Sequence, residues 1–310
     1  MDRIVKVTLD LDALVAEGQL TPAEAERLAR LGRQSTGMLA FNLLVGFGVI
    51  AVATGVLALV PAPGTAMVIG LVLALVGVGV GVLARSDWAL LGQMCIIVGA
   101  LIGGGGLLTL GEFAAWAFML VALAYGLGAA LSANGLLASL AVIAVSGAVG
   151  AETGYIGEDG YAATVPDSTA AILVMLVLTG GLALLARRFA GEAGRLLRVG
   201  AATALVVANF GFWVGSLWGD RLHVGGAEVL RIPEQVFALV WAALLIGAGV
   251  LAARRGDRWV LNCAAIFGAV HLFSQWFDRL EATPESVLAA GLVALGLALG
   301  LAWVNRRLPQ

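Results

Sequence analysis

Ten apolar runs follow a polar start in this 310-residue chain: 37–60, 64–84, 88–109, 113–132, 135–151, 168–187, 197–219, 233–253, 258–277 and 285–305. None alternates with the period of two that marks a half-buried strand. Crossing a hydrocarbon core of about 30 Å takes roughly 20 mostly apolar residues. Peptide groups find no water there, so runs of this length must be helices. The pattern predicts an all-α fold, a polytopic transmembrane helix bundle of about ten spans over residues 36–310.

Residues 1–35 break the pattern. Ile4, Val5, Val7 and Leu9 suggest a short extended piece, after which Asp10 is placed to cap a short helix and Gly18 to close it. Thr21-Pro22-Ala23-Glu24 is a helix start, with Thr21 as N-cap, Pro22 in the first turn and Glu24 reaching back as a capping box. Leu20, Ala25, Leu28 and Leu31 add an apolar stripe. The segment is expected to be a small cytosolic helical hairpin. Its six acidic residues offset five basic ones and no basic face emerges, so the expected partner is a protein surface and not nucleic acid.

Composition agrees with the bilayer as solvent. The chain is 61% hydrophobic and 12% charged, with mean hydropathy +0.99, where soluble domains are about a quarter charged. The polar start gives no expectation of a cleavable leader. Cys95 and Cys263 lie inside separate apolar runs and say little about redox compartment.

Charge then sets an orientation. Threaded in order, 15 of the 18 Lys and Arg fall on the side of the N-terminus, and only Arg221, Arg231 and Arg279 fall opposite. Basic residues are retained in the cytoplasm, so both termini are expected there. A miscounted span would have made the late basic clusters alternate wrongly, and they do not. Trp88, Trp218, Trp259, Trp276 and Trp303 sit near run ends, where an amphipathic ring suits the headgroup level.

The two ends carry recognisable wording. The stretch Leu11 to Ala25 reads L-x-x-L-x-x-x-G-x-L-T-x-x-x-A. Near the other end stand His271-Leu-Phe-Ser-Gln-Trp-Phe-Asp278, Ala282-Thr-Pro-Glu-Ser286 and a Gly/Leu/Ala run finishing Asn305-Arg-Arg-Leu308. Together these resemble a family of uncharacterised bacterial membrane proteins with an N-terminal cytosolic hairpin. The resemblance implies the bacterial inner membrane and brings no activity, cofactor or catalytic residue with it.

No P-loop, zinc motif, nucleotide fingerprint or nucleophile elbow is present, so neither a cofactor, a metal nor a soluble-type catalytic set is expected. No Asp, Glu, Lys or Arg lies mid-span, which counts against a proton pump or a strongly ion-coupled carrier. The interior polar residues are Asn42, Gln93, Asn209, Asn262, His271 and Gln275. For each alone, hydrogen bonding between helices is the simpler reading.

Two stripes suggest more. His271, Ser274, Gln275 and Asp278 share one helical face by their spacing, and Asn209, Trp213, Ser216 and Asp220 share another. Both approach the external side, where Glu234 and Gln235 open a run and Glu112 joins two others. These residues are candidates for an outward-facing polar vestibule, against the alternative that polar groups merely collect where helices meet headgroups. Gly99 and the run Gly103, Gly104, Gly105 and Gly106 mark either close helix packing or a break exposing backbone. Small pairs recur at Gly211/Gly215 and Gly296/Gly300, which favours packing. The acidic loop 152–167 lacks calcium-site spacing and is expected to be solvated.

Three functions remain open: a transporter or permease-like bundle for a small solute or lipid, a membrane scaffold or sensor whose hairpin binds a partner, and an intramembrane enzyme using His271 and Asp278. The third is weakest, since no nucleophile accompanies them.

Overall fold

The computed structural model describes residues 14–15, 18–19, 21–83, 88–152, 168–224, 227–256, 258–281 and 283–307. Most of the first hairpin helix and nearly all of the acidic loop lie outside them. The chain packs as two compact units, Met1–Leu110 and Gly111–Gln310. Among the described residues, seven helices are long and apolar enough to cross a membrane, and three more carry shorter apolar stretches, Leu44–Leu59, Gly135–Ala151 and Pro284–Gly296. Large apolar side chains such as Leu59, Leu131 and Val177 stand fully outward on them. Water would not tolerate such a surface, and the chain is a multi-pass membrane protein.

The first unit holds α1 (Pro22–Leu59), α2 (Pro63–Leu83) and α3 (Ala89–Leu110). Before α1, Gly18 takes φ +71°, the Gly18 N–H donates to Val15 O at 3.1 Å and the Gln19 N–H to Leu14 O at 2.9 Å. That is the bond pair of a Schellman stop, which needs glycine at the left-handed position. Thr21 then caps α1: its hydroxyl accepts from the Glu24 N–H at 3.3 Å while Glu24 Oε2 accepts from the Thr21 N–H at 2.9 Å. From that start α1 runs unbroken for 38 residues, so the second hairpin helix and the first apolar run are one helix.

Helices α2 and α3 pack antiparallel through glycines spaced by seven. A Cβ at Gly70 would lie 2.6 Å from Gly99 O, one at Gly77 2.6 Å from Gly92 O, and one at Gly106 2.7 Å from Pro63 O. The seven-residue repeat keeps one glycine seam facing the partner along a left-handed crossing. Across Gly103–Gly106 α3 stays a single helix. Gly99, Gly103 and Gly106 face α2 closely, Gly104 is buried, and Gly105 has open space beside it.

The second unit contains α4 (Ala115–Ser132), α5 (Gly135–Glu152), α6 (Ser168–Ala186), α7 (Gly191–Trp218), β1 (Asp220–Val224), β2 (Ala227–Ile232), α8 (Glu234–Arg255), α9 (Arg258–Leu280) and α10 (Pro284–Arg307). Helix α7 is the hub, packed against α4, α5, α6, α8 and α9. A stripe of small residues makes this possible: Ala204 and Ala208 are fully buried against Val142 and Met175. Further along, Gly211 seats Ile172 of α6 and Gly215 seats Phe237 of α8, where a Cβ would come within 2.8 Å and 2.7 Å of those side chains.

Three polar devices fix the connections. Asn134 Oδ1 accepts from the Leu136 and Leu137 N–H groups at 2.9 and 3.2 Å, capping α5. Arg195, held by Glu192 at 2.7 Å, donates to Ala133 O at 2.6 Å and so closes the end of α4 from α7. Asp220 is buried and accepts from the Thr169 N–H at 2.7 Å and from the Thr169 hydroxyl. It thereby satisfies a bare N-terminal N–H of α6 with a negative charge, where the helix dipole favours one.

The all-α expectation needs one correction. Residues 220–224 and 227–232, to which the sequence pattern assigns no element, form two antiparallel strands pairing Asp220 with Ile232 and Arg221 with Arg231. Polar and apolar residues alternate over 221–224 and 227–229, a hairpin signal overshadowed by the long runs around it.

Candidate functional site

The two polar stripes do come together, and α8 joins them. Trp213 Nε1 donates to Ser274 Oγ at 2.7 Å, and Gln275 Nε2 donates to Ser216 O at 3.1 Å, so α7 and α9 are stitched at two levels. Trp241 of α8 donates to Asn209 Oδ1 at 2.9 Å, and Asn209 Nδ2 in turn donates to Leu205 O at 2.8 Å. The Trp241 ring also meets the His271 ring edge-on at 4.9 Å and stacks on Phe212 at 6.5 Å.

These bonds use most of the polar capacity of Asn209, Ser216, Ser274 and Gln275 within the seam. Ser216 and Ser274 also donate to Trp213 O and Val270 O, each within one turn. Asp220 serves α6, as described. Glu234 accepts from Gln235 at 2.6 Å, while Asp278 and Glu112 are exposed, the latter in the turn after α3. The stripes therefore meet as a seam, with His271 at its edge.

His271 differs from the rest. Its Nδ1 is buried with no hydrogen-bond partner, as is Nε1 of Trp276 one turn on. An unpaired buried polar atom costs about 1–3 kcal/mol, so each marks a place where something polar belongs. Both residues line cavities. A groove of about 770 Å³ runs between α8, α9 and α10, lined by Leu245, Ile246, Ile266, Phe273 and small residues including Gly268, Gly296 and Gly300. A second pocket of about 440 Å³ lies between α8 and α9, lined by Gln235, Gln275, Trp276 and Arg279 among others. The two share Ala242, His271 and Leu272 and so adjoin there.

The order of the two along the helices matters. Gln235 is the second residue of α8 and Arg279 the last but one of α9. The groove begins at Ala242, roughly 10 Å further along α8 at 1.5 Å per residue. The polar pocket is thus at the helix ends and the apolar groove is deeper. The glycines that floor the groove have nothing within 4 Å of where a Cβ would stand. Gly296 and Gly300, expected from spacing to be a packing pair, shape open space instead.

Other cavities lack this pairing. One of about 440 Å³ between α4, α5, α6 and α7 is lined by Ala, Gly, Val, Leu and Phe only. One of about 200 Å³ beside Asn209 and Trp241 is smaller than the roughly 300 Å³ at which ligand sites begin.

No protein-family model, curated protein or solved structure matches the chain. Its function has to be read from its own residues. The sequence flagged His271 and Gln275 but missed Trp241, Trp276 and Arg279: a tryptophan reads as apolar or as a headgroup anchor, and an arginine at a span end reads as topology.

Proposed function

We propose that the protein is a permease-like membrane protein that binds a lipid or similar amphiphile between α8, α9 and α10 and moves it relative to the bilayer. One observation carries this reading: an apolar groove and a polar pocket, adjoining at His271 and ordered with the polar part at the helix ends. A lipid has the same order, head at the surface and chains within. The groove volume of about 770 Å³ falls in the roughly 300–1,000 Å³ range of small-molecule sites. The ten long helices of the described residues and the placement of 15 of 18 basic residues support a reading with ten spans, both termini cytoplasmic and the polar pocket facing outward from a bacterial inner membrane.

The test is movement of fluorescent phospholipid between leaflets of vesicles containing the purified protein, read by chemical quenching from outside. Faster quenching than in empty vesicles, slowed severalfold by Gly296→Leu, is expected. Rates equal to those of empty vesicles would contradict transport.

A scaffold reading is favoured by the well-terminated hairpin, with its Schellman stop at Gly18 and its capping box at Thr21 and Glu24, both side chains exposed. It predicts no lipid movement and a cytosolic partner captured by residues 1–35. The transport reading predicts that protein lacking residues 1–33 still moves lipid.

A further inference from the structure

The polar pocket narrows the head group. Its described lining includes Gln235, Gln275 and Arg279 as donors and no carboxylate, with Glu234 beside it engaged by Gln235. Gln275 and Gln235 already spend an amide N–H on Ser216 O at 3.1 Å and Glu234 Oε1 at 2.6 Å. Arg279 gives one N–H to Gln275 Oε1 at 3.2 Å, and a guanidinium has five. Trp276 also lines the pocket, but its indole nitrogen is buried away from the open space.

We infer that this pocket binds the phosphate of an anionic phospholipid, with the remaining N–H groups of Arg279 as its donors; the inference rests on reading the adjoining groove as the chain site. Arginine matches phosphate geometry with two parallel bonds and stays charged when desolvated. An ammonium-bearing head finds no carboxylate in the lining and would set its own cation beside Arg279. Lipids such as phosphatidylglycerol are therefore selected over phosphatidylcholine, and the chains in the groove make the whole lipid a better ligand than phosphate alone. His271 lies where head meets chain and contacts both.

The experiment is native mass spectrometry of the full-length protein released from detergent, with phosphatidylglycerol and phosphatidylcholine of identical chains competing. Wild type is expected to retain phosphatidylglycerol about tenfold better, the ratio given by about 1.4 kcal/mol. Arg279→Gln should bring the two lipids close to parity while still retaining phosphatidylcholine, which also reports that the variant is folded. Millimolar inorganic phosphate should displace neither.

Equal retention of the two lipids by wild type, or a preference unmoved by Arg279→Gln, overturns the inference and leaves the groove reading standing if Gly296→Leu still expels both. Displacement by inorganic phosphate overturns the lipid source. Retention of neither lipid overturns the groove reading itself.

Discussion

Asp220 caps a helix that begins 52 residues before it, accepting the Thr169 N–H at 2.7 Å from the start of the β-hairpin. A second oxygen accepts the Arg221 N–H at 2.8 Å. One carboxylate thus ties the start of α6 to the start of β1. Asp220→Ala should lower stability by about 1–3 kcal/mol, because the Thr169 N–H and hydroxyl lose their acceptor in a dry setting. Asp220→Asn keeps one acceptor oxygen and should lose less. Thermal unfolding in detergent, followed by circular dichroism, checks both. Equal stability of Asp220→Ala and wild type would mean the cap is replaceable by water.

The glycine seam between α2 and α3 makes a contrast within one short run. A Cβ at Gly99 would stand 2.6 Å from the Gly70 carbonyl oxygen, where backbone must shift. Gly99→Ala should destabilise the first unit by about 1–3 kcal/mol, as overpacking does. Gly105, only six residues on, has nothing within 4 Å. Gly105→Ala should be neutral or stabilising by up to about 1 kcal/mol through helix propensity. The same melting measurement compares the two, and similar effects from both would refute the seam.

The capping box at the start of α1 is sensitive to acid. The Glu24 carboxyl is held below its ordinary value of 4.5, chiefly by the Thr21 hydroxyl and then by the Thr21 backbone N–H. A folded value below the unfolded one gives stabilisation that is complete above the unfolded value and lost as pH falls through the folded one. Hydrogen exchange at the first turn of α1 should show wild type better protected than Glu24→Ala at neutral pH. The two should converge only at acid pH, below the folded value. A gap unchanged into strong acid would show that the carboxylate is not the cap.

Much of this architecture was legible because the bilayer imposes it. Eight of the ten runs match helices closely, since no other backbone form survives in hydrocarbon. Of the other two, α7 starts six residues early, at Gly191, and α1 starts at Pro22 because its cap lies there and nothing between Thr21 and Leu59 breaks a helix. Spacing also located Asn209, Trp213, Ser216, His271, Ser274 and Gln275 on facing stripes. What spacing could not show is the third partner: Trp241 reaches Asn209 and His271 from α8 and turns two stripes into a seam. Nor could it separate glycines that pack from those that leave room. Gly211/Gly215 and Gly296/Gly300 are the same motif in sequence, and only the neighbours decide that the first seats Ile172 and Phe237 while the second floors a groove.

The central claim is that the groove between α8, α9 and α10 holds a lipid chain, and photo-crosslinking tests it most directly. The protein would be reconstituted in nanodiscs containing a phospholipid with a diazirine near the end of one chain, and the adducts mapped by peptide mass spectrometry. Adducts should concentrate on residues 265–273 and 294–300, be abolished there by Gly296→Leu and stay unchanged elsewhere. Adducts spread at equal density over outward apolar positions such as Leu131 and Val177, and indifferent to Gly296→Leu, would contradict it.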